Sequence, residues 1–205
     1  MPLPMGARQM IDPRIETLIA SFYHDPLAQF FWPNEELRAK QLSAALEFLL
    51  KLSSIILSSE TANRKCAGVI GATRPGRYPP PFFQSMVALI RLILKLLSLT
   101  PLREMGKMTS VYNQFDKIHP QQPHWYIAVL GVHPDQQGKG MGGELLRPVL
   151  QQADKQSVIV YLECSNPNSL DFYRKYGFEV MKEIVPVRTC PPIWGLVRKP
   201  TSESR

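Results

Sequence analysis

Between Trp125 and Gln156 the sequence passes from a strand through a glycine-rich turn into a helix, and no other stretch restricts the fold as strongly. Trp125 to Val132 (WYIAVLGV) is aromatic and β-branched and follows Pro123, which predicts a largely buried strand. His133 to Gly138 turns away from it. Glu144 to Gln156 then reads as a helix, with Leu145, Leu146, Val149, Leu150 and Ala153 on one face and Pro148 tolerated in the first turns. The connection Gln137-Gly138-Lys139-Gly140-Met141-Gly142-Gly143 has four glycines in the six positions from Gly138. A turn of this kind gathers unpaired amides and the positive end of a helix dipole at one point, and residues without Cβ let an anion approach the backbone. Lys139 adds a charge, so the expected ligand carries phosphate.

Three patterns compete for that phosphate. Gly138-Lys139-Gly140 lacks the Gly-Lys-Ser/Thr ending that a triphosphate loop needs for its metal-bound hydroxyl. The dinucleotide fingerprint is met literally by Gly138, Gly140 and Gly143, and Glu163 follows Gly143 by 20 residues at the end of a predicted strand. In that fold, however, the first glycine ends the strand directly. Here His133 to Gln137 intervene, and too little chain follows Glu163 to complete a doubly wound sheet. The third pattern, Gln-x-x-Gly-x-Gly, is met by Gln137, Gly140 and Gly142.

The rest of the chain reads as mixed α/β. Asp12-Pro13 opens a helix through Ile15, Leu18, Ile19 and Phe22 that ends at His24-Asp25-Pro26. Asn34 caps a second helix to about Ser54. Ile55 to Leu57 and Cys66 to Ala72 are short strands of a hairpin, separated by the polar stretch Ser58 to Lys65. The prolines of Thr73 to Pro81 impose a rigid loop. Phe82 to Leu99 is interrupted by Gln84, Ser85, Arg91, Lys95 and Ser98, which argues against a membrane span. Met86, Ile90, Ile93, Leu94 and Leu97 recur at three- and four-residue steps, which predicts that this face is buried, as in a core or lid helix. A further helix reaches Ile118. Val158 to Leu162 is the next strand, Ser169 to Tyr176 a short helix capped by Gly177, and Phe178 to Val187 pairs with Ile193 to Val197.

Length and composition bound what such a chain can be. At 205 residues, 44% hydrophobic and 20% charged, it has the size and content of one domain with its own core. Its net charge of +7 is scattered without a basic run, so no nucleic-acid stripe is expected. Cys66, Cys164 and Cys190 are odd in number and widely spaced, which fits neither a disulfide framework nor a zinc site. His24, His119, His124 and His133 are not spaced as metal ligands and read as structural or surface residues. Met1 to Met10 lacks the apolar core of a signal peptide, and the expected compartment is the cytoplasm.

In order along the second half come a strand ending Leu130-Gly131-Val132, His133-Pro134-Asp135, the Gln137 loop, an amphipathic helix, a strand ending Leu162-Glu163, and Phe172-Tyr173-Arg174-Lys175-Tyr176-Gly177-Phe178. This succession resembles the GNAT superfamily of acetyl-CoA-dependent N-acetyltransferases. The likeness is nearest to the puromycin N-acetyltransferase type, through Trp125, Leu162 to Ser165, Phe172-Tyr173, Gly177-Phe178 and the ending Trp194 to Pro200. It covers about Trp125 to Pro200. The first 120 residues match only in outline: a Pro-Gly loop at Pro75-Gly76, but Gly71-Ala72-Thr73 where relatives place a tryptophan. Pro2 to Met10 is also a poor version of the family's opening strand.

The resemblance implies a single domain over 1–205, with an acceptor side in residues 1–120 and an acetyl-CoA side in 121–200, built on a mixed, mostly antiparallel sheet that splays at the cofactor. Leu130, Gly131 and Val132 would pair with the pantetheine arm through main-chain groups. Gln137 would open the pyrophosphate cradle formed by Gly138, Lys139, Gly140, Met141, Gly142 and Gly143, and Asn166 would bond cofactor or backbone. Tyr173 would be the general acid for the CoA thiolate, a task suited to a phenol with a pKa near ~10. Glu163 would take the amine proton, directly or through water, or hold the ammonium as a counter-ion. The implied reaction is acetylation of the primary amine of a small molecule, without a metal and without nucleic-acid or membrane partners. A homodimer is compatible with the sequence. The alternatives are a CoA-binding regulatory module without turnover and a dinucleotide-binding oxidoreductase.

Overall fold

The computed structural model describes residues 12–78 and 82–201. The weak opening strand expected at Pro2 to Met10, and the end of the proline loop, lie outside them.

A six-stranded sheet carries the fold. Its strands are β1 (Ile55–Thr61), β2 (Arg64–Thr73), β3 (Trp125–Val132), β4 (Val160–Cys164), β5 (Glu179–Ile184) and β6 (Ile193–Arg198). They lie in the order β1-β2-β3-β4-β6-β5, and among the described residues the only parallel pair is β3 with β4. The expected mixed, mostly antiparallel sheet is therefore present. Seven α-helices accompany it among the described residues: α1 (Pro13–Phe22), α2 (Pro26–Phe31), α3 (Glu35–Leu52), α4 (Phe82–Leu97), α5 (Leu102–Ile118), α6 (Met141–Lys155) and α7 (Leu170–Lys175).

The apolar stripes decide which helices cover which face. Ile15 and Leu18 of α1, Leu42, Leu46 and Leu50 of α3, and Met108 and Val111 of α5 bury against Val69 and Val129 on one side. On the other, Leu145, Leu146, Val149 and Ala153 of α6, with Tyr173 of α7, pack on Ala67, Ile70, Ile127 and Leu162. Asp12, Asp25 and Asn34 cap α1, α2 and α3 through their side-chain oxygens.

Three expectations need correction. Residues 26–31 form a helix instead of ending one, because Asp25 both stops α1 and caps α2. β1 continues through Ser58 to Thr61, where pairing with β2 outweighs a polar sequence. The α4 face formed by Met86, Ile90, Ile93, Leu94 and Leu97 is exposed, not buried. The helix instead turns Leu96 into the core, with Leu92 packed beside it, and Lys95 pairs with Glu47 of α3 at 2.7 Å. A helix apolar on most sides gives a period without stating which side packs. Among the described residues no helix is long and apolar enough to cross a membrane.

Candidate active site

The parallel pair opens early. β3 and β4 pair only at Trp125 with Val160 and Tyr126 with Tyr161, after which they separate. A bulge supplies the cause: Gly71 of β2 lies opposite Val129 while Ala72 lies opposite Ile127, so Ala128 is an extra residue in β3. It reverses the alternation of the strand. Trp125 and Ile127 pack on the α6 side, whereas Val129 packs on the α1 side and a Cβ on Gly131 would meet Leu18, Ser21 and Phe22. From Ile127 to Val132, β3 thus has no strand partner on its β4 side among the described residues.

The resulting gap, about 100 Å³, is lined by Ile127 to Leu130, Leu162 to Asn166, Ser169 and Tyr173, with Phe22 and Asp25 at its far wall. Glu163 projects on the same sheet face as Tyr161, and Tyr173 reaches the gap from the opposite, α7 side. Both are nearly buried, with 8% of the Glu163 side chain and 9% of Tyr173 exposed. Burial, then the neighbouring Cys164 and Asp25, push the Tyr173 phenol well above its ordinary pKa, so it is fully protonated at neutral pH.

The glycine turn follows β3, whose residues Ile127 to Leu130 line this gap. Gly138 and Gly140 take positive φ, 76° and 85°, which favours glycine there. Among the described residues, the amides of Gly138, Lys139, Gly140, Met141 and Gly142 donate to no acceptor. These five donors at the start of a long helix suit a pyrophosphate. Gly142 and Gly143, expected in the turn, lie instead in the first turn of α6, where they make room for Phe172 and Tyr176. Gln137 donates from Nε2 to the Val132 carbonyl at 3.0 Å, fastening the turn to β3. Lys139 folds back, its Nζ on the Asp135 carbonyl at 2.8 Å and on Gln136 Oε1. Asn166 Oδ1 accepts from the Asn168 amide, a backbone contact.

A second cavity of 160 Å³ adjoins the gap, sharing Phe22, Asp25, Ala128, Val129, Glu163 and Ser165 with it. Its walls are apolar, among them Phe31, Trp32, Leu46, Leu49 and Phe115, and its carboxylates are Asp25 and Glu163. Asp25 accepts from Ser165 Oγ at 2.9 Å and from the Leu27 amide, and burial raises its pKa.

Sequence reasoning missed the groups around Glu163. His119, at the end of α5, has Nδ1 3.4 Å from Glu163 Oε1 and Nε2 2.9 Å from His124 Nε2. Tyr78 stacks on the His119 ring with centroids 3.9 Å apart, and Tyr126 and Tyr161 meet it edge-on. Burial, followed by the Glu163 charge, raises the Tyr78 phenol to about 12. No spacing rule links these positions; only the alternation that puts Tyr161 and Glu163 on one face was readable. Among the described residues no group of three His, Cys, Asp or Glu side chains could hold a metal ion.

Comparison with known proteins bears on this arrangement. Residues 105–178 match the profile described as the acetyltransferase (GNAT) family. This segment of the chain is similar to the GNAT acetyltransferases, and the sheet agrees with their fold. The chain is an acyltransferase. An uncharacterized N-acetyltransferase of Schizosaccharomyces pombe is 25% identical over 197 residues, covering 92% of this chain and 79% of the relative. A mycothiol acetyltransferase of Saccharomonospora viridis is 38% identical over 77 residues, covering 32% of this chain but 25% of its own length. The crystal structure of histone acetyltransferase HPA2 and related acetyltransferase from Corynebacterium glutamicum superposes with a TM-score of 0.67 at 18% identity. That match covers 98% of this acetyltransferase and 96% of the other chain, and shows the shared fold. An acyltransferase assignment leaves no place for the oxidoreductase alternative.

Proposed function

We propose that this acetyltransferase moves the acetyl group of acetyl-CoA to the primary amine of a small, largely apolar molecule. The observation that carries the reading is the junction of two cavities at Glu163. One is the gap of the splayed strands, with Tyr173 in its wall; the other is an apolar chamber between α1, α2, α3 and α5. An acceptor lying in the chamber would present its amine at the gap. The likeness to the puromycin type at Leu162 to Ser165 and Trp194 to Pro200 also favours a small-molecule acceptor over a protein.

The fit to CoA rests on the five unpaired amides from Gly138 to Gly142 and on the unpartnered edge of β3 at Leu130, Gly131 and Val132. The bound thioester supplies the acyl group. Glu163 removes a proton from the ammonium, so that nitrogen has a free pair for the thioester carbon. A main-chain amide near Val132 steadies the oxyanion. Tyr173 gives its proton to the departing sulfur, and its burial on α7 holds the hydroxyl in the protonated form this step needs.

Calorimetry with acetyl-CoA, CoA and NAD, followed by an amine panel with thiol detection, tests the reading. CoA binding with turnover of aryl- or alkylamines is expected. CoA binding without turnover on any amine would leave a regulatory module, and turnover confined to peptide N-termini would remove the small-molecule acceptor.

A further inference from the structure

Counting protons along the chain of groups behind Glu163 leads to an inference that rests on the proposed transferase reading. Four groups lie in sequence: Glu163 Oε1, the His119 ring, the His124 ring and the Gln122 carbonyl. The contacts joining them are 3.4 Å from Glu163 to His119 Nδ1, 2.9 Å between the two Nε2 atoms, and 2.7 Å from His124 Nδ1 to Gln122 oxygen. Each contact needs one proton to be a hydrogen bond. A carboxylate and a carbonyl bring none, and two neutral imidazoles bring two. Three contacts therefore share two protons.

Every placement of those two protons leaves at least one pair of lone pairs facing each other. The shortest contact settles where the defect lies. Gln122 oxygen can only accept, so His124 carries its proton on Nδ1 and turns a lone pair toward His119. His119 must then donate from Nε2, which leaves its Nδ1 lone pair against the Glu163 carboxylate, at the longest of the three distances. Burial, ahead of the opposing bond to Gln122, holds His124 below the ordinary imidazole range, which keeps it neutral.

We infer that Glu163, His119 and His124 act as a one-proton store, in which His124, a positioning residue, fixes the His119 tautomer so that the Glu163–His119 contact is completed only by a proton from outside. On the transferase reading that proton is the one the acceptor ammonium loses. The N–H bonding pair stays on nitrogen as the proton passes to Glu163 and is shared with His119 Nδ1. Attack on the thioester then forms the C–N bond and breaks the C–S bond. The second proton shed by nitrogen balances the one Tyr173 gives to sulfur, and the stored proton leaves to solvent after turnover.

Other ionisable groups surround the store without supplying a proton to the Glu163–His119 contact. Tyr78 from the loop after β2, Tyr126 of β3 and Tyr161 of β4 surround His119, and all three phenols are held protonated by burial and by the Glu163 charge, those of Tyr126 and Tyr161 also by hydrogen bonding toward the Glu163 carboxylate. Asp116 and Tyr112 of α5 act on Tyr78 from further out. Among the described residues Glu163 forms no ion pair with Lys or Arg.

The test is paired. Long-range 15N NMR of the histidine-labelled wild-type protein, without cofactor or amine, should show His124 protonated on Nδ1 and the two rings taking up one proton together in a single step. Rings that titrate independently, or His124 protonated on Nε2, would overturn the inference. In His124→Phe, His119 is free to turn Nδ1–H toward Glu163, and the defect disappears. The acid limb of kcat/KM should then move to lower pH by on the order of one unit, with kcat reduced about tenfold. A fall in kcat with an unmoved limb would mean a merely structural role for His124 and would sink the idea. If the variant fails to fold, the wild-type spectra still decide. Because the spectra need no substrate, a protein that shows the single-step uptake but turns over no amine would disprove the transferase reading and leave the proton store intact.

Discussion

The ring of Tyr176 lies against the bare Cα of Gly143, where any side chain would overlap its hydroxyl. A residue that reads as part of a phosphate turn is thus also the seat of α7, and the same holds for Gly142 beneath Phe172. Since α7 carries Tyr173, the packing of these two glycines sets where the proposed acid stands.

Gly143→Ala should therefore cost about 1–3 kcal/mol, as overpacking does. In a Tyr176→Ala background the same change should become neutral or favourable, because alanine is the better helix residue. A double-mutant cycle by urea denaturation measures the coupling; additive effects would contradict the contact.

Gly140→Ala separates cradle from packing. No atom stands near the position a Cβ would take, but φ is 85°. We expect a stability loss of about 1–2 kcal/mol from the left-handed backbone and a CoA Kd raised roughly tenfold as the amides shift. Calorimetry showing normal CoA affinity would argue against the cradle.

Tyr173→Phe should lower kcat about 100-fold or more while leaving acetyl-CoA affinity within about twofold, since it deletes only a proton donor. Single-turnover kinetics and calorimetry read the two quantities separately.

Two leucines two residues apart test the orientation of α4. Leu96→Ala, in the core, should cost about 2–5 kcal/mol. Leu94→Ala, on the exposed face, should stay within about 0.5 kcal/mol. Thermal denaturation that reversed the ranking would restore the buried face expected from the period.

Asp154, at the end of α6, meets Arg198 of β6 through two bonds of 2.8 and 2.9 Å, and Arg198 also donates to the Tyr176 carbonyl. The guanidinium bonds lower the Asp154 pKa. A lowered carboxylate contributes stability above its unfolded pKa and loses it as pH falls through the folded value. Asp154→Asn should accordingly destabilise the protein by about 2 kcal/mol at pH 7, with the gap to wild type closing in acid below pH ~4. Denaturation midpoints across that range check the sign.

Much of this is legible in the sequence. The strand from Trp125 to Val132 and the helix behind the glycines follow from local preferences, whereas Glu163 and Tyr173 came from the family resemblance; both side chains line the gap. α2 was hidden because six residues are too few to show a helical period, and the Ala128 bulge because one extra residue leaves no mark on a strand as uniformly apolar as β3. The buried side of α4 was misread for the related reason that its apolar residues exceed one stripe.

The sequence by itself determined the alternation of elements and the chemistry of the turn, because hydrophobic period, caps and bare glycines act over a few neighbouring residues. Only the tertiary structure decided what Glu163 faces. His119 stands 44 positions away and His124 and Tyr78 on other segments, and they meet because β3 bends at Ala128 while α5 ends over the sheet. Contacts of that separation come from how elements pack, and packing is a property of the whole chain.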